Sequence, residues 1–125
     1  MDSAVALPKA ERKYDLEERT HLFGWNTREF VKKLPRTIGN IEDGKQLIRS
    51  SGSVGANYIE ANEALSPKDR VKCFRIARKE AKESIHWLRF IDVCGDAELE
   101  RERQYLLQEA RELLLILSSI LQKHE

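Results

Sequence analysis

The stretch from Ser50 to Arg89, SSGSVGANYIEANEALSPKDRVKCFRIARKEAKESIHWLR, decides the fold. Apolar side chains recur at helical spacing on both sides of a break at Leu65, Ser66 and Pro67. Ser66 is a good N-cap, Pro67 suits the first helical position, and Asp69 lies where a capping box has its acid. The stretch therefore predicts two long helices joined by a tight turn.

Two more helices flank this hairpin. The predicted bounds of the four helices are residues 16–34, 41–64, 67–93 and 97–122. Pro35 is expected to end the first helix and Gly95 the third. Residues 1–14 are aperiodic and predict a flexible N-terminal arm, so that the helical domain spans residues 15–125. Amphipathic helices with short connections are typical of an all-α, antiparallel up-down-up-down four-helix bundle.

Composition narrows the class of protein. At 125 residues the chain has the length of one domain and does not need disulfides to build a core. Its net charge of +1 favours no class of partner, so any electrostatic signal must be local. No apolar run approaches the roughly 18 residues of a membrane span, and no signal peptide is evident. We therefore expect a cytoplasmic protein, with Cys73 and Cys94 as small buried side chains in a reducing compartment.

Two features predict how the helices pack. Gly52 and Gly55 each cost roughly 1 kcal/mol relative to alanine in a helix interior, which indicates close approach of a neighbouring helix. In the fourth helix a large aliphatic residue recurs every seven positions, as in a coiled-coil seam. The seam residues are Leu99, Leu106, Leu113 and Ile120, with Ala110 and Leu117 in the second core position.

The third and fourth helices carry more apolar surface than one bundle requires. The predicted core face of the third helix consists of Phe74, Ala77, Ala81, Ile85, Leu88 and Ile91. Further apolar side chains flank that face, and others project away from the seam of the fourth helix. In so small a chain this surplus predicts subunit contacts, and hence a homo-oligomer. The candidate interface residues are Ile76, Trp87, Leu115 and Ile116.

Patterns for catalysis or metal binding are weak. Glu18 with His21, and Glu83 with His86, have the Glu-x-x-His spacing of di-iron sites in helical bundles. At about 100° per residue, however, His86 lies opposite the core face and Glu83 also points outward, whereas metal ligands must face the bundle interior. We therefore predict no metal, no cofactor, no catalytic residue and no enzymatic activity.

A polar strip edges the apolar face of the second helix. Its members are Ser50, Ser53, Asn57 and Glu60. One interpretation is a binding or catalytic cluster, but a nucleophilic serine needs a base, and no histidine or cysteine lies at helical spacing from Ser53. We favour the other interpretation, a hydrogen-bond network between helices that fixes their packing or a subunit contact.

The third helix also has a basic face. Between Ser66 and Phe90 eight basic side chains stand against three acidic ones, a net charge of +5, whereas residues 96–112 carry −3. The side chains predicted to converge opposite the core are Arg75, Arg78, Lys79, Lys82, His86 and Arg89. Such a face is commonly a solvated surface or pairs with a neighbouring subunit, and the functional alternative is binding of a phosphate backbone. No aromatic residue interleaves these cations, so base stacking is not expected.

Three motifs give the chain a family resemblance. They are S-V-x-A-N-Y-x-E-A at Ser53–Ala61, S-P-K-D at Ser66–Asp69 and K-E-A-K-E-S-x-x-W-L at Lys79–Leu88. Together they resemble the four-helix-bundle proteins that bacteria encode in intervening sequences of large-subunit ribosomal RNA genes, also called S23 ribosomal proteins. The likeness covers about residues 15–122, essentially the whole domain.

This resemblance implies a barrel-shaped homopentamer with no established enzymatic activity. A related branch comprises the accessory proteins of diversity-generating retroelements, which are basic pentamers that bind nucleic acid and a reverse transcriptase. The implied partners are therefore other copies of the chain, and RNA or a reverse transcriptase. We expect a non-enzymatic homo-oligomer that binds RNA or a ribonucleoprotein through the basic face. The alternative is a protein-interaction scaffold with no nucleic-acid role.

Overall fold

A computed structural model describes residues 16–124 and shows an antiparallel four-helix bundle. The helices are α1 (Leu16–Lys32), α2 (Ile38–Glu63), α3 (Pro67–Phe90) and α4 (Ala97–His124). Each helix packs against the next along the chain, and α4 closes the ring against α1. Arg19, early in α1, pairs with Glu109 in α4. Lys33, after α1, pairs with Glu102, nearer the start of α4. The predicted all-α up-down-up-down bundle is confirmed, while the predicted arm, residues 1–14, lies outside the described residues.

Capping side chains set the N-termini of α2 and α3. The Ser66 hydroxyl accepts a hydrogen bond from the backbone N–H of Asp69 at 3.1 Å, as the sequence predicts. The Thr37 hydroxyl does the same for α2, accepting from the N–H of Asn40 at 3.0 Å. Helix α2 therefore begins at Ile38, three residues before the predicted start, because a threonine in the expected connection is an N-cap.

The C-termini of α1 and α3 come earlier than predicted. Helix α1 ends at Lys32 rather than Leu34, since Pro35 disfavours helical backbone in the residue before it. Helix α3 ends at Phe90, and Ile91 turns to extended backbone. Gly95, expected as the helix terminator, lies instead in the α3–α4 connection with a φ of 80°.

One contiguous core runs along the bundle and includes side chains from all four helices. Its largest fully buried members are Phe23, Phe30, Leu47, Val54, Leu88, Leu113, Leu117 and Leu121. The predicted seam of α4 holds at Leu106 and Leu113, but at its end Leu121 is buried and Ile120 is only half-buried. The reason is that a heptad pattern drifts by about 20° per repeat on a straight α-helix. Ile85, predicted in the core of α3, is half-buried as well.

No helix within residues 16–124 has a stretch long and apolar enough to cross a membrane.

Helices α1 and α2 approach each other closely at glycines. A Cβ atom on Gly55 would lie 3.1 Å from Thr20 Oγ1, and one on Gly24 would lie 3.3 Å from the carbonyl oxygen of Ser51. The predicted close approach is confirmed at Gly55. Gly52 differs, since a Cβ there would meet no atom within 4 Å. Its open side faces a groove between the two helices.

Both cysteines are free thiols, but only one is partly buried. Cys73 is half-buried in α3, next to α2, with its Sγ 3.9 Å from Glu60 Oε2. Cys94 is exposed, so the prediction of a buried side chain is wrong for it. The early end of α3 places Cys94 in the α3–α4 connection, where its φ is 54°.

Candidate nucleic-acid interface

The outward face of α3 carries a row of exposed cations. Lys79, Lys82 and Arg89 are all exposed, as is Arg75 one turn before them. At about 100° per residue, the first three lie within a sector of about 80°. The opposite side of the helix, with Ala77 near its centre, is buried. We refer to Lys79, Lys82 and Arg89 as the cation row.

Arg78 does not belong to this row. It was predicted to lie opposite the core, but its side chain is half-buried. At about 100° per residue it lies only about 60° from Ala81, on the edge of the buried face. A charged head at this edge reaches water while its aliphatic stem packs on apolar neighbours. Arg78 is thus less accessible to a partner than the three members of the cation row.

The acidic side chains in the middle of α3 are paired from α2. Arg49 donates to Glu83 at 3.0 Å and lies 3.5 Å from Glu80, which is only 6% exposed. Glu83 is thus half-buried beside α2 rather than pointing outward as predicted. Within residues 16–124, no carboxylate forms an ion pair with a member of the cation row. The positive charge of the row is therefore not cancelled by a contact partner in the part of the chain that the structure describes.

Acidic side chains of α4 also form ion pairs with arginines outside the cation row. Arg19 of α1 bonds both Glu109 and Glu112 at 2.7 Å. The hydrogen bond to Glu109 is the main cause that raises the pKa of the Arg19 guanidinium above its ordinary value. Glu100 accepts from Arg103, and this hydrogen bond lowers the pKa of the Glu100 carboxyl. These acids of α4 thus pair with Arg19 of α1 and with Arg103 of α4 itself, and the acids in the middle of α3 pair with Arg49 of α2.

An aromatic cluster lies at the C-terminal end of the cation row. The ring of His86 is 4.5 Å from that of Phe90 and 4.7 Å from that of Trp87, measured between centroids. Phe90 is 57% exposed. The prediction that no aromatic shares the basic face is therefore wrong. Phe90 follows the last cation in sequence, yet eleven residues of helix bring it within about 20° of Lys79.

The polar strip of α2 divides into two kinds of contact. Ser50 is fully buried and accepts a hydrogen bond from Ser84 of α3 at 3.0 Å. Within residues 16–124, the side chains of Ser53 and Asn57 donate hydrogen bonds only to backbone carbonyls of their own helix, at 2.8 and 2.9 Å. Glu60 reaches α3 only through its long contact with Cys73. The predicted hydrogen bond between helices is therefore present at Ser50. Ser53 and Asn57 do not take part in it.

The four candidate interface residues fall on two different sides of the bundle. Ile76 and Trp87 are half-buried on the side of α3 that faces α2, the side that also carries Glu83. Ile116 is half-buried on the side of α4 near α1, while Leu115 is 68% exposed. The fold does not gather these four side chains into one patch.

The Glu-x-x-His pairs are not assembled with other ligands. His21 and His86 are exposed on different helices, and Glu83 pairs with Arg49. In the part of the chain that the structure describes, no three His, Cys, Asp or Glu side chains lie close enough to hold a metal ion.

A groove between α1 and α2 is a second surface feature that the sequence analysis missed. It has a volume of about 410 Å³ and passes over the close approach at Gly52 and Gly55. Trp25 and Ile59 line it, and both are substantially exposed. Charged side chains at its edge include Glu17 and Arg28.

Comparisons with known proteins agree with this architecture. A family model described as 23S rRNA-intervening sequence protein matches residues 12–119. A crystal structure of a protein of unknown function from the S23 ribosomal protein family of Bacteroides thetaiotaomicron is similar, with 27% sequence identity and a TM-score of 0.73. The match covers 85% of this chain and 94% of that one. No curated protein gives a significant match.

Proposed function

The chain belongs to the family of 23S rRNA-intervening sequence proteins, and we propose that it is a non-enzymatic homo-oligomer that binds RNA through the cation row of α3. RNA presents a regular series of phosphates, and lysine and arginine heads bind them with release of condensed counterions. A ribonucleoprotein would offer the same phosphate chemistry.

One observation carries the proposal. Lys79, Lys82 and Arg89 are exposed and without carboxylate partners within residues 16–124, while the acids nearest to them in sequence are held by Arg49. A merely solvated helix face commonly has its own i,i+4 acid–base pairs. Here Glu80 and Glu83 are instead paired with Arg49 of α2, which leaves the positive charge of the row for an anionic partner.

Oligomerisation would strengthen this binding. A single subunit offers only a few phosphate contacts, and the salt-dependent affinity grows with their number. Among the candidate interface residues, Ile76 of α3 and Leu115 and Ile116 of α4 lie on different sides of the bundle, which suits a head-to-tail contact between unlike patches. Such contacts close into rings when the rotation allows it, whereas a two-fold dimer uses the same patch twice. A ring would repeat the cation row around its circumference.

The test reverses two charges of the cation row. In the double variant Lys79→Glu with Lys82→Glu, we expect binding of an oligouridylate probe to fall by at least tenfold. For a single-stranded ligand, each lost phosphate contact also reduces the slope of log affinity against log salt by about 0.7. Fluorescence anisotropy across a salt series measures both quantities, and light scattering verifies that the oligomer is unchanged.

The matched control is Arg36→Glu with Arg111→Glu. Both arginines are exposed, lie outside α3 and give the same change in net charge. If the control weakens binding as much as the Lys79 and Lys82 variant, the effect is one of total charge and the assignment to α3 is wrong. Absence of RNA binding by the unmodified oligomer at low salt would refute the proposed function as a whole.

The groove between α1 and α2 favours a second candidate function, that of a protein-interaction scaffold. Trp25 and Ile59 present apolar surface beside exposed backbone, as in many protein-binding surfaces. Under this alternative, Trp25→Ala abolishes capture of a protein partner, and RNA binds no better than to a neutral control protein.

A further inference from the structure

We propose that the aromatic cluster of His86, Trp87 and Phe90 stacks against an unpaired base of the bound RNA. This inference rests on the proposed function, because the cation row would hold the phosphates next to that base. It adds a class of ligand to the proposal, namely single-stranded or looped RNA in preference to a continuous duplex.

The geometry of the cluster makes it a preformed platform. The three rings contact one another, with centroids 4.5, 4.7 and 5.7 Å apart. Trp87 is half-buried and supports the other two, while His86 and Phe90 are exposed. The ring planes of Trp87 and Phe90 are nearly perpendicular, at 87°. Because mutual packing restricts the rotamers of these side chains, little further ordering is needed when a base arrives.

The position of the cluster beside the cations indicates what class of ligand would bind there. His86 lies one turn after Lys82, about 6 Å along the helix axis. Phe90 directly follows Arg89, and it lies on the same side of the helix as Lys79 but about 16 Å farther along the axis. An exposed aromatic ring next to cationic heads matches a nucleotide, which offers a flat apolar face and a phosphate. An acidic protein segment would engage the cations but would leave the rings uncovered.

Whether the bases are paired or unpaired decides which form of RNA could bind to the cluster. In an A-form duplex the bases are already stacked on their neighbours, and the deep major groove excludes side chains. Bases in single strands and loops are free to stack on aromatic side chains, and this stacking tolerates any sequence. The cluster lies on the convex outer face of a helix, where only a splayed base reaches it. The structure therefore favours unpaired RNA.

The test compares Phe90→Ala with the unmodified oligomer on two probes, an oligouridylate and its duplex with oligoadenylate. We expect roughly 5- to 150-fold weaker binding of the single strand, the range for loss of one stacked base. Binding of the duplex should not change. The slope of log affinity against log salt should also stay the same, because phenylalanine carries no charge. Phe90→Trp should retain the affinity.

Tyr105→Ala is the matched control, since Tyr105 is a comparably exposed aromatic on α4 in a pocket with acidic side chains. A direct readout uses a Trp25→Phe background, in which Trp87 is the sole tryptophan. Stacking of a base on the cluster should quench its fluorescence on addition of oligouridylate.

The outcomes separate this inference from the proposed function. If the oligomer binds both probes and Phe90→Ala changes neither, the phosphate contacts stand and the stacking site is wrong. If Phe90→Ala lowers the oligomer mass in light scattering, the cluster is a subunit contact and the inference is again wrong. If the unmodified oligomer binds neither probe, the proposed function fails and this inference fails with it.

Discussion

Among single residues, Asn40 joins two connections at one end of the bundle through its side chain. Its amide is 4% exposed and donates to the carbonyl oxygens of Pro35 at 3.0 Å and Asp92 at 2.8 Å. Its Oδ1 accepts from the N–H of Asp92 at 2.9 Å. One side chain thereby satisfies backbone groups in both the α1–α2 and the α3–α4 connections. Buried backbone groups without partners are costly, so this amide stabilises two loops at once.

We predict that Asn40→Ala lowers the free energy of unfolding by about 3 kcal/mol, because it leaves buried polar groups of two connections unpaired. Urea denaturation followed by circular dichroism measures the loss. The control is Asn62→Ala, at an exposed position near the end of α2, which should change stability by less than about 0.5 kcal/mol. Equal effects of the two substitutions would contradict the role of Asn40.

At the scale of elements, the close approach of α1 and α2 depends on which side of each glycine faces the other helix. Gly55 points at Thr20, whose hydroxyl is held by the carbonyl oxygens of Leu16 and Glu17 at 2.8 and 3.0 Å. Thr20 is therefore not free to turn away from a new methyl group. Gly52 points into the open groove. The two glycines look alike in the sequence, but only one of them is required by packing.

We predict opposite effects for two alanine substitutions in α2. Gly52→Ala should raise the free energy of unfolding by up to about 1 kcal/mol, because alanine favours the helix and the new Cβ meets no neighbour. Gly55→Ala should lower it by about 1 kcal/mol, because the clash with Thr20 exceeds the gain in helix propensity. Thermal unfolding of both variants provides the comparison. A stabilising Gly55→Ala would mean that α1 shifts at little cost.

At the level of the whole bundle, the ion pairs within residues 16–124 leave the outer face of α3 positive. The cation row faces outward from α3, while Arg19 neutralises acids of α4 and Arg49 those of α3. Leu115 remains as an exposed aliphatic side chain on the helix whose end is apolar on most sides. Exposed leucine at this position would be covered if subunits assemble there.

We predict that Leu115→Asp lowers the molecular mass measured by light scattering, because a carboxylate buried in a subunit contact would lose its hydration. The control is Leu65→Asp, in the turn between α2 and α3, where the leucine is fully exposed. It should leave the mass unchanged, and both variants should retain the helical circular dichroism spectrum. An unchanged mass for Leu115→Asp would remove this residue from the interface.

The candidate site was only partly predictable from the sequence. Helical periodicity correctly placed Lys79, Lys82 and Arg89 on the exposed side of α3. It placed Arg78 too far from the core, since an edge position differs from an outward one by only a few tens of degrees. Phe90 lies three turns of helix after Lys79 on the same side of α3, and the sequence did not reveal that it shares this face.

Local sequence patterns specify the four helices, the cap at Ser66 and the periodic core, because helix propensity, capping and apolar spacing act over a few neighbouring residues. These patterns did not specify where the helices end, or that Gly55 rather than Gly52 lies against the neighbouring helix. Contacts between distant segments decide those points: Asn40 with Asp92, Gly55 with Thr20, and Arg49 with Glu80 and Glu83. They join residues 31 to 52 positions apart along the chain, so no local pattern contains them. Only the packing of the bundle brings these partners together, and it thereby sets the charge of the outer face of α3.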